Sequence, residues 1–274
     1  MFVSVFNKPS FSRTVSLFSK RSGCTLAYLC VNCLLAHKDY SVIPRDPKTG
    51  FGASVNVDSR AFIIDGKSVA SKIKTLLTKE IKYLNETFRP QKSPTPKLGY
   101  ILVGNRPDSE LYVKMKKKSC QKIGIETIGK NFDESVSQEE LYDYVKELNQ
   151  DETVDGILVQ LPLPDRIDSR TVCDMVQHEK DVDGIHPLNM AAMARHEDPF
   201  FTPCTPKGIM CLIKSVCPKI KGLKATVIGR SNIVGMPIAL LLQKEFATVT
   251  LCHTYTENLK EEIESADIVV SATG

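Results

Sequence analysis

The stretch that decides the fold class is Ala225-Thr-Val-Ile228, followed by Gly229-Arg-Ser-Asn-Ile-Val-Gly235-Met-Pro237 and an amphipathic run that reaches Lys244. A short strand, a turn bearing two glycines and a helix are one half of a βα unit. Glycines at such a turn let the backbone approach a diphosphate, and the helix N-terminus offers unpaired N–H groups and the positive end of its dipole. The position is that of a dinucleotide site. The spacing is not Gly-x-Gly-x-x-Gly, so a tight strand-to-helix turn explains the glycines equally well. Arg230 and Ser231 favour a ligand, because a guanidinium and a hydroxyl there can hold an anion such as a ribose 2′-phosphate. A solvated arginine is the plainer alternative.

The same alternation extends in both directions. Downstream, the pattern predicts a helix over Gly235–Lys244, a strand over Thr248–Cys252, a helix over Glu257–Ser265 and a strand over Ile268–Ser271; upstream, it predicts a helix over Lys207–Val216. Earlier still, Val69, Ile73, Leu76, Leu77 and Leu84 recur at helical spacing, and the prolines between Arg89 and Lys97 end that helix. Then come a strand over Leu98–Val103, a helix over Ser109–Ile123, a strand over Ile125–Ile128, a helix over Ser137–Leu148 and the apolar strand Gly156–Gln160. Strands apolar enough for burial on both faces, alternating with helices, predict parallel sheets in an α/β protein of two domains. Residues 61–205 form the first, and 206–274 form a Rossmann-like second. A doubly wound domain continues past a strand such as 268–271, so the second domain is expected to be incomplete at Gly274.

The 274 residues are 42% hydrophobic and 25% charged, which is globular composition. The run Cys24–Ala36 is broken by Asn32 and is shorter than the ~20 residues that cross a bilayer, so no membrane association is expected. The net charge of +4 comes from the start of the chain, where Lys8, Arg13, Lys20, Arg21 and Lys38 all precede the first acid, Asp39. The remainder is near neutral, which argues against a nucleic-acid surface. An acid-free, Ser-bearing basic start resembles a mitochondrial presequence, so residues 1–60 are expected to be a transit peptide and linker, with a cytoplasmic protein as the alternative. Nine cysteines have irregular spacing, and Cys30-x-x-Cys33 lacks a second pair, so no metal site is expected. Cys211 and Cys252 lie among apolar residues and read as reduced core thiols.

Three further motifs carry chemistry. Tyr112 and Lys116 are four apart and share a helix face, where a ring stacks on a planar ligand beside an ammonium; the lysines around them also suit a wet face. Gln160 stands at the carboxyl end of an apolar strand, in Val159-Gln-Leu-Pro-Leu-Pro164, where open α/β sheets bind ligands. Lys180-Asp-Val-Asp-Gly184 offers two carboxylates at a turn, suited to the amidine-like edge of a ring but equally to a simple Asp-Gly turn.

In this order, Tyr112-Val-x-x-Lys116-x-Lys118, Val159–Pro164, Lys180–Gly184, Pro203-Cys-Thr-Pro206 and Gly229–Pro237 resemble the methylenetetrahydrofolate dehydrogenase/cyclohydrolase family. The resemblance runs from about Ala61 to Gly274. It implies oxidation of 5,10-methylenetetrahydrofolate with a nicotinamide cofactor, then hydrolysis of the methenyl cation to 10-formyltetrahydrofolate. It makes Lys116 the catalytic lysine, with Tyr112 stacked on the folate, Gln160 tuning the lysine and Asp183 gripping the pterin. Gly229, Arg230, Ser231, Gly235 and Thr254 are then the cofactor residues. The partners it implies are tetrahydrofolate derivatives and a second copy of the chain, paired through the cofactor domain.

The chain departs from that family at three places. The family's Gly-Arg is Ala191-Ala192, which alters the local loop packing. An NAD-using mitochondrial branch carries an Asp and an Arg where Phe246 and Thr254 stand, and the Thr254 hydroxyl resembles the NADP branch instead, so NADP is expected over NAD. A Pro-Gly-Gly-Val-Gly-Pro segment that helps close the folate site lies beyond Gly274 in the family. The alternative expectation is therefore a non-catalytic fragment that binds folate or a partner subunit.

Overall fold

The computed structural model describes residues 63–86 and 95–273, together with the backbone of the strands at 2–5, 14–18 and 61–62 and of Thr87. Apart from those strands, the presequence and linker expectations and the Cys30/Cys33 pair lie outside the described residues.

The first sheet is parallel, with β4 (Lys97–Val103) between β5 (Glu126–Phe132) and β6 (Gly156–Val159). Helix α2 (Pro107–Ile123) carries the chain from β4 to β5, and α3 (Gln138–Gln150) returns it to β6 on the other side of β4. The strand order thus reverses at β4. One face of the sheet packs Leu98, Tyr100 and Leu102 against α2 and α1 (Gly66–Thr87), which buries Val69, Ile73 and Leu77 of the predicted stripe together with Ile81 and leaves Leu76 and Leu84 half-buried. The other face packs Ile101, Val103, Ile157 and Val159 against Leu141, Val145 and Leu148 of α3.

The second sheet repeats this plan. Strand β7 (Lys224–Ile228) lies between β8 (Thr248–Cys252) and β9 (Ile268–Ser271), all parallel, linked by α7 (Gly235–Lys244) and α8 (Leu259–Glu264). Outside β9, β1 (Phe2–Val5) pairs antiparallel, followed by β2 (Thr14–Phe18) and β3 (Ala61–Phe62). These strands differ from the wholly parallel expectation. Their alternating β-branched and aromatic residues suit a ladder, and β9 offers them an edge of backbone donors and acceptors.

Between the sheets run α4 (Ser169–Asp174), α5 (Pro187–Ala194) and α6 (Cys204–Val216). The sequence pattern missed α4 and α5, which are only 6 and 8 residues long and start from side-chain caps on Asp168 and His186. Ala191 and Ala192 close α5 by accepting the Arg195 N–H, so the altered pair continues a helix there. Strand β5 runs four residues beyond its predicted end at Ile128, because it is an edge strand whose polar residues 129–131 still pair with β4 in full register. Helix α2 starts two residues early, with Pro107 at its first position, where no N–H is needed. Helix α8 is shorter than predicted, starting after Asn258 in the left-handed region at φ 54°.

Candidate active site

On α2 the buried residues are Ser109, Val113, Lys116, Ser119, Cys120 and Ile123, one continuous stripe at helical spacing. Lys116 therefore occupies a core-facing position and is 8% exposed, whereas Lys114, Lys117 and Lys118 face solvent. The lysine run is a wet face with one member turned inward. Its Nζ donates to Gln160 Oε1 at 3.0 Å. Lys117, by contrast, donates to Tyr100 Oη at 2.9 Å and lies over that ring. Tyr112, half-buried, borders the stripe one turn before Lys116. Ser109, buried one turn earlier, is a residue that the motifs do not single out; its spacing of three and seven to Tyr112 and Lys116 is the signal that could have found it.

Gln160 sits where β6 ends. Its backbone N–H donates to Ile101 O at 2.9 Å, and its Nε2 donates to Leu161 O at 2.8 Å, which leaves Oε1 to accept from the lysine. The amide is thus fixed at both ends.

The two carboxylates of the Asp-Val-Asp-Gly turn separate into different tasks. Asp181, 5% exposed, accepts from His186 N at 2.7 Å and from Asn189 Nδ2 at 3.3 Å, which fastens the loop to the start of α5. Val182 is fully in the core, and Asp183 is left half-buried. Loss of water pushes the Asp183 carboxyl up to about 6; the nearby Lys116 ammonium opposes that rise and Asp181 adds to it. Lys116, bonded to Gln160, is thus within electrostatic reach of Asp183. Gly184 adopts φ 70°, and a Cβ there would meet Pro203 N at 2.6 Å, so glycine lets this turn lie against Pro203-Cys204.

Lys180 belongs to the same motif, and its role is structural. Its Nζ donates to the carbonyls of Leu148, Asn149 and Asp151 at 3.1, 2.7 and 2.8 Å, filling acceptors that the end of α3 leaves open. Burial lowers its affinity for the proton despite nearby Asp151, Asp155 and Glu152. It ties the Asp183 loop to α3, and Ile157 N to Lys180 O at 2.6 Å ties the same loop to β6. Cys173 is buried nearby, and burial together with the surrounding Asp183, Asp181 and Asp174 raises its thiol to about 12, so it is inert. Cys211 and Cys252 are likewise buried free thiols.

The second predicted cluster lies at the carboxyl end of β7, where the order of the second sheet reverses. Gly229 has φ 107°, and a Cβ on Gly235 would stand 2.0 Å from Gly229 O. The backbone of turn and helix touch there, the close strand-to-helix packing that glycine permits at such a turn. Ser231 Oγ accepts from Val234 N at 3.2 Å and from Gly235 N at 3.3 Å. The serine thus ties the turn to the start of α7, and its O–H proton remains for a ligand. Arg230 is exposed and makes no ion pair among the described residues. Thr254 is exposed just beyond β8, whose Cys252 O accepts from Gly229 N at 2.9 Å.

Comparison with known sequences is decisive. The description "Tetrahydrofolate dehydrogenase/cyclohydrolase, catalytic domain" matches residues 64–183, and the "NAD(P)-binding domain" of the same family matches residues 203–274. The chain belongs to this family. It is 46% identical over 229 residues to "Bifunctional protein FolD 4, chloroplastic" of Arabidopsis thaliana, covering 83% of this chain and 62% of that protein. It is 45% identical over 215 residues to the bifunctional protein FolD of Aquifex aeolicus, covering 78% and 72%. Among solved structures, the bifunctional FolD of Campylobacter jejuni superposes with a TM-score of 0.73 at 39% identity, over 77% of this chain and 73% of that one. The Trypanosoma brucei enzyme, solved with NADP cofactor and inhibitor, superposes with 0.73 at 36% identity, over 78% and 72%. Within the stretch matched by the catalytic-domain model lie Lys116, Gln160 and Asp183, and within the stretch matched by the NAD(P)-binding model lies the Gly229–Gly235 turn.

Proposed function

We propose that this protein oxidises 5,10-methylenetetrahydrofolate to the methenyl form with NADP and hydrolyses that cation to 10-formyltetrahydrofolate. The observation that carries the reading is the buried Lys116 ammonium held by Gln160 beside Asp183. In its ionised form Asp183 accepts the paired donors of the aminopyrimidine edge and fixes the pterin. Tyr112 covers the neighbouring ring. A nicotinamide dinucleotide, held through its diphosphate by the Gly229–Gly235 turn, would supply the hydride acceptor. Lys116, steered by Gln160, relays the proton when water adds to the cation. Arg230, the Ser231 O–H and Thr254 are disposed to take a 2′-phosphate, which supports NADP over NAD. The folate part spans residues 61–205 and the cofactor part 206–274.

The test is to supply the protein with 5,10-methylenetetrahydrofolate and either cofactor. The methenyl chromophore should appear faster with NADP and then decay to 10-formyltetrahydrofolate; absence of both products overturns the reading.

We also propose a mitochondrial address, supported by the basic, acid-free start, and pairing of two copies through the cofactor part. Relatives include chloroplastic and bacterial proteins. Fusion of residues 1–60 to a fluorescent reporter tests the address, and light scattering tests the dimer. Among the described residues no helix is long and apolar enough to cross a membrane.

A further inference from the structure

Asn189, on α5, is 1% exposed, and its amide is bonded at both ends. Its Nδ2 donates to Asp181 Oδ2 at 3.3 Å and to His178 O at 3.4 Å, and its Oδ1 accepts from Phe201 N at 3.2 Å. Two segments, the one that leads into the Asp-Val-Asp-Gly turn and the one that leads into α6, thus meet on one side chain. The position needs a donor toward Asp181 and an acceptor for Phe201 N at the same time, which an amide supplies. A carboxylate of the same shape would serve Phe201 N but turn a second acceptor on Asp181.

These two segments are the walls between which Asp183 stands. The turn begins at Asp181, whose backbone O accepts from Gly184 N at 3.0 Å and whose carboxylate also accepts from His186 N at 2.7 Å. Burial pushes the Asp181 carboxyl up, and the His186 N–H and the Asn189 amide oppose that rise. The facing wall is Phe201–Cys204. Cys204 donates through its N–H to Asp183 O at 3.4 Å and through Sγ to Val182 O at 3.1 Å. A Cβ on Gly184 would meet Thr202 C at 2.6 Å and Phe201 O at 2.9 Å, so the two walls are in close contact there. Asn189 clamps them together from behind, one bond to the start of each wall.

We infer that Asn189 is a positioning residue for folate: by holding Asp181 and Phe201 to one another, it sets where the Asp183 carboxyl stands. The inference rests on the folate reading and adds to it a residue that acts through Asp183. An amide that only stabilised the fold would, when lost, reduce the binding-competent fraction alike for every ligand. A positioning amide changes affinity for the folate ring and spares the nucleotide, whose Gly229–Gly235 turn belongs to the other sheet.

The test is equilibrium binding of tetrahydrofolate and, separately, of NADP to the unaltered protein, to Asn189→Asp and to the double variant Asp181→Asn, Asn189→Asp. In Asn189→Asp, tetrahydrofolate should bind roughly tenfold more weakly, the scale of one buried hydrogen bond lost with its partner left unsatisfied, while NADP affinity holds. The double variant exchanges donor and acceptor across the 3.3 Å contact and still offers acceptors to His186 N and Phe201 N, so it should recover most of the loss. Asn189→Ser, shorter and uncharged, carries the same comparison should the like-charge variant not fold. It too should weaken tetrahydrofolate and spare NADP. Unchanged tetrahydrofolate affinity, equal losses for both ligands, or no recovery in the double variant overturns the positioning role and leaves the folate reading standing. Failure of the unaltered protein to bind tetrahydrofolate overturns both.

Discussion

Lys116 and Gln160 are 44 positions apart, yet the lysine Nζ lies 3.0 Å from the glutamine Oε1, joining the buried stripe of α2 to the end of β6. A lysine on a core-facing stripe costs solvation unless its ammonium finds a partner, and here the partner is an amide whose own orientation is fixed by Leu161 O. Asp183 is brought to the same place by a loop that Lys180 and Asp181 anchor from below. The arrangement is a proton-handling group beside a carboxyl kept near neutrality by burial.

The first expectation concerns pH. Asp183 has a carboxyl raised to about 6, so between the ordinary carboxylate range and 6 it is protonated in the folded chain and ionised in the unfolded one. As pH falls through about 6 the protein should lose folate affinity, seen as a rise in KM, because the protonated acid no longer accepts two hydrogen bonds. Over the same window its contribution to folding becomes more favourable, opposite to that of an ion-paired aspartate. Asp183→Asn should flatten the KM profile between pH 5 and 7.5 and raise KM throughout; an unchanged profile would assign the titration elsewhere.

Gly235→Ala should destabilise the cofactor part by at least about 3 kcal/mol, since its Cβ would stand 2.0 Å from the carbonyl oxygen of Gly229. Gly222→Ala, at φ 84° with nothing within 4 Å of the new Cβ, should cost only about 1 kcal/mol. Urea unfolding of the two variants measures the difference.

Arg230→Ala should weaken NADP by roughly ten- to a hundredfold, the value of a charge-assisted contact to phosphate, and leave NAD nearly unaffected. Cofactor titration with both nucleotides decides this. Equal losses for NADP and NAD would place the guanidinium on a part that the two share.

Lys180→Met keeps the side chain's apolar stem but leaves the carbonyls of Leu148, Asn149 and Asp151 without their shared donor. A cost of about 2 to 3 kcal/mol is expected, measured by chemical denaturation. Because the loop also carries Asp183, KM for folate should rise more than kcat falls.

Much of this was legible in the sequence. The strands at 248–252 and 268–271 and the helix at 235–244 have the bounds read from the sequence, because each is a short apolar segment set off by polar or glycine residues. Less legible were features fixed by distant contacts. The polar end of β5 is a strand because β4 lies beside it, and nothing local says so. The spacing of Tyr112 and Lys116 showed a shared face, but only burial shows that Lys116 is the lysine turned inward. Asp181 and Asp183 look equivalent in a turn motif; their separation depends on Asn189, which sits on a short helix that has no periodic signal of its own. Ser231, read as a phosphate contact, also accepts from the backbone N–H groups of Val234 and Gly235, a use that the spacing Ser-x-x-Val-Gly already permitted.

The measurement that bears most directly on the central claim is to assay both reactions on Lys116→Met and Lys117→Met. Lys116→Met preserves length and apolar stem but removes the group that exchanges a proton, so hydrolysis of the methenyl cation should fall by roughly 10²- to 10⁴-fold. Hydride transfer should fall much less, since Tyr112, Asp183 and the glycine turn still position the reactants. Lys117→Met loses only the contact to Tyr100 and should leave both rates within about twofold, as expected for an exposed interaction. Equal effects from the two substitutions, or hydrolysis undiminished in Lys116→Met, would contradict the account.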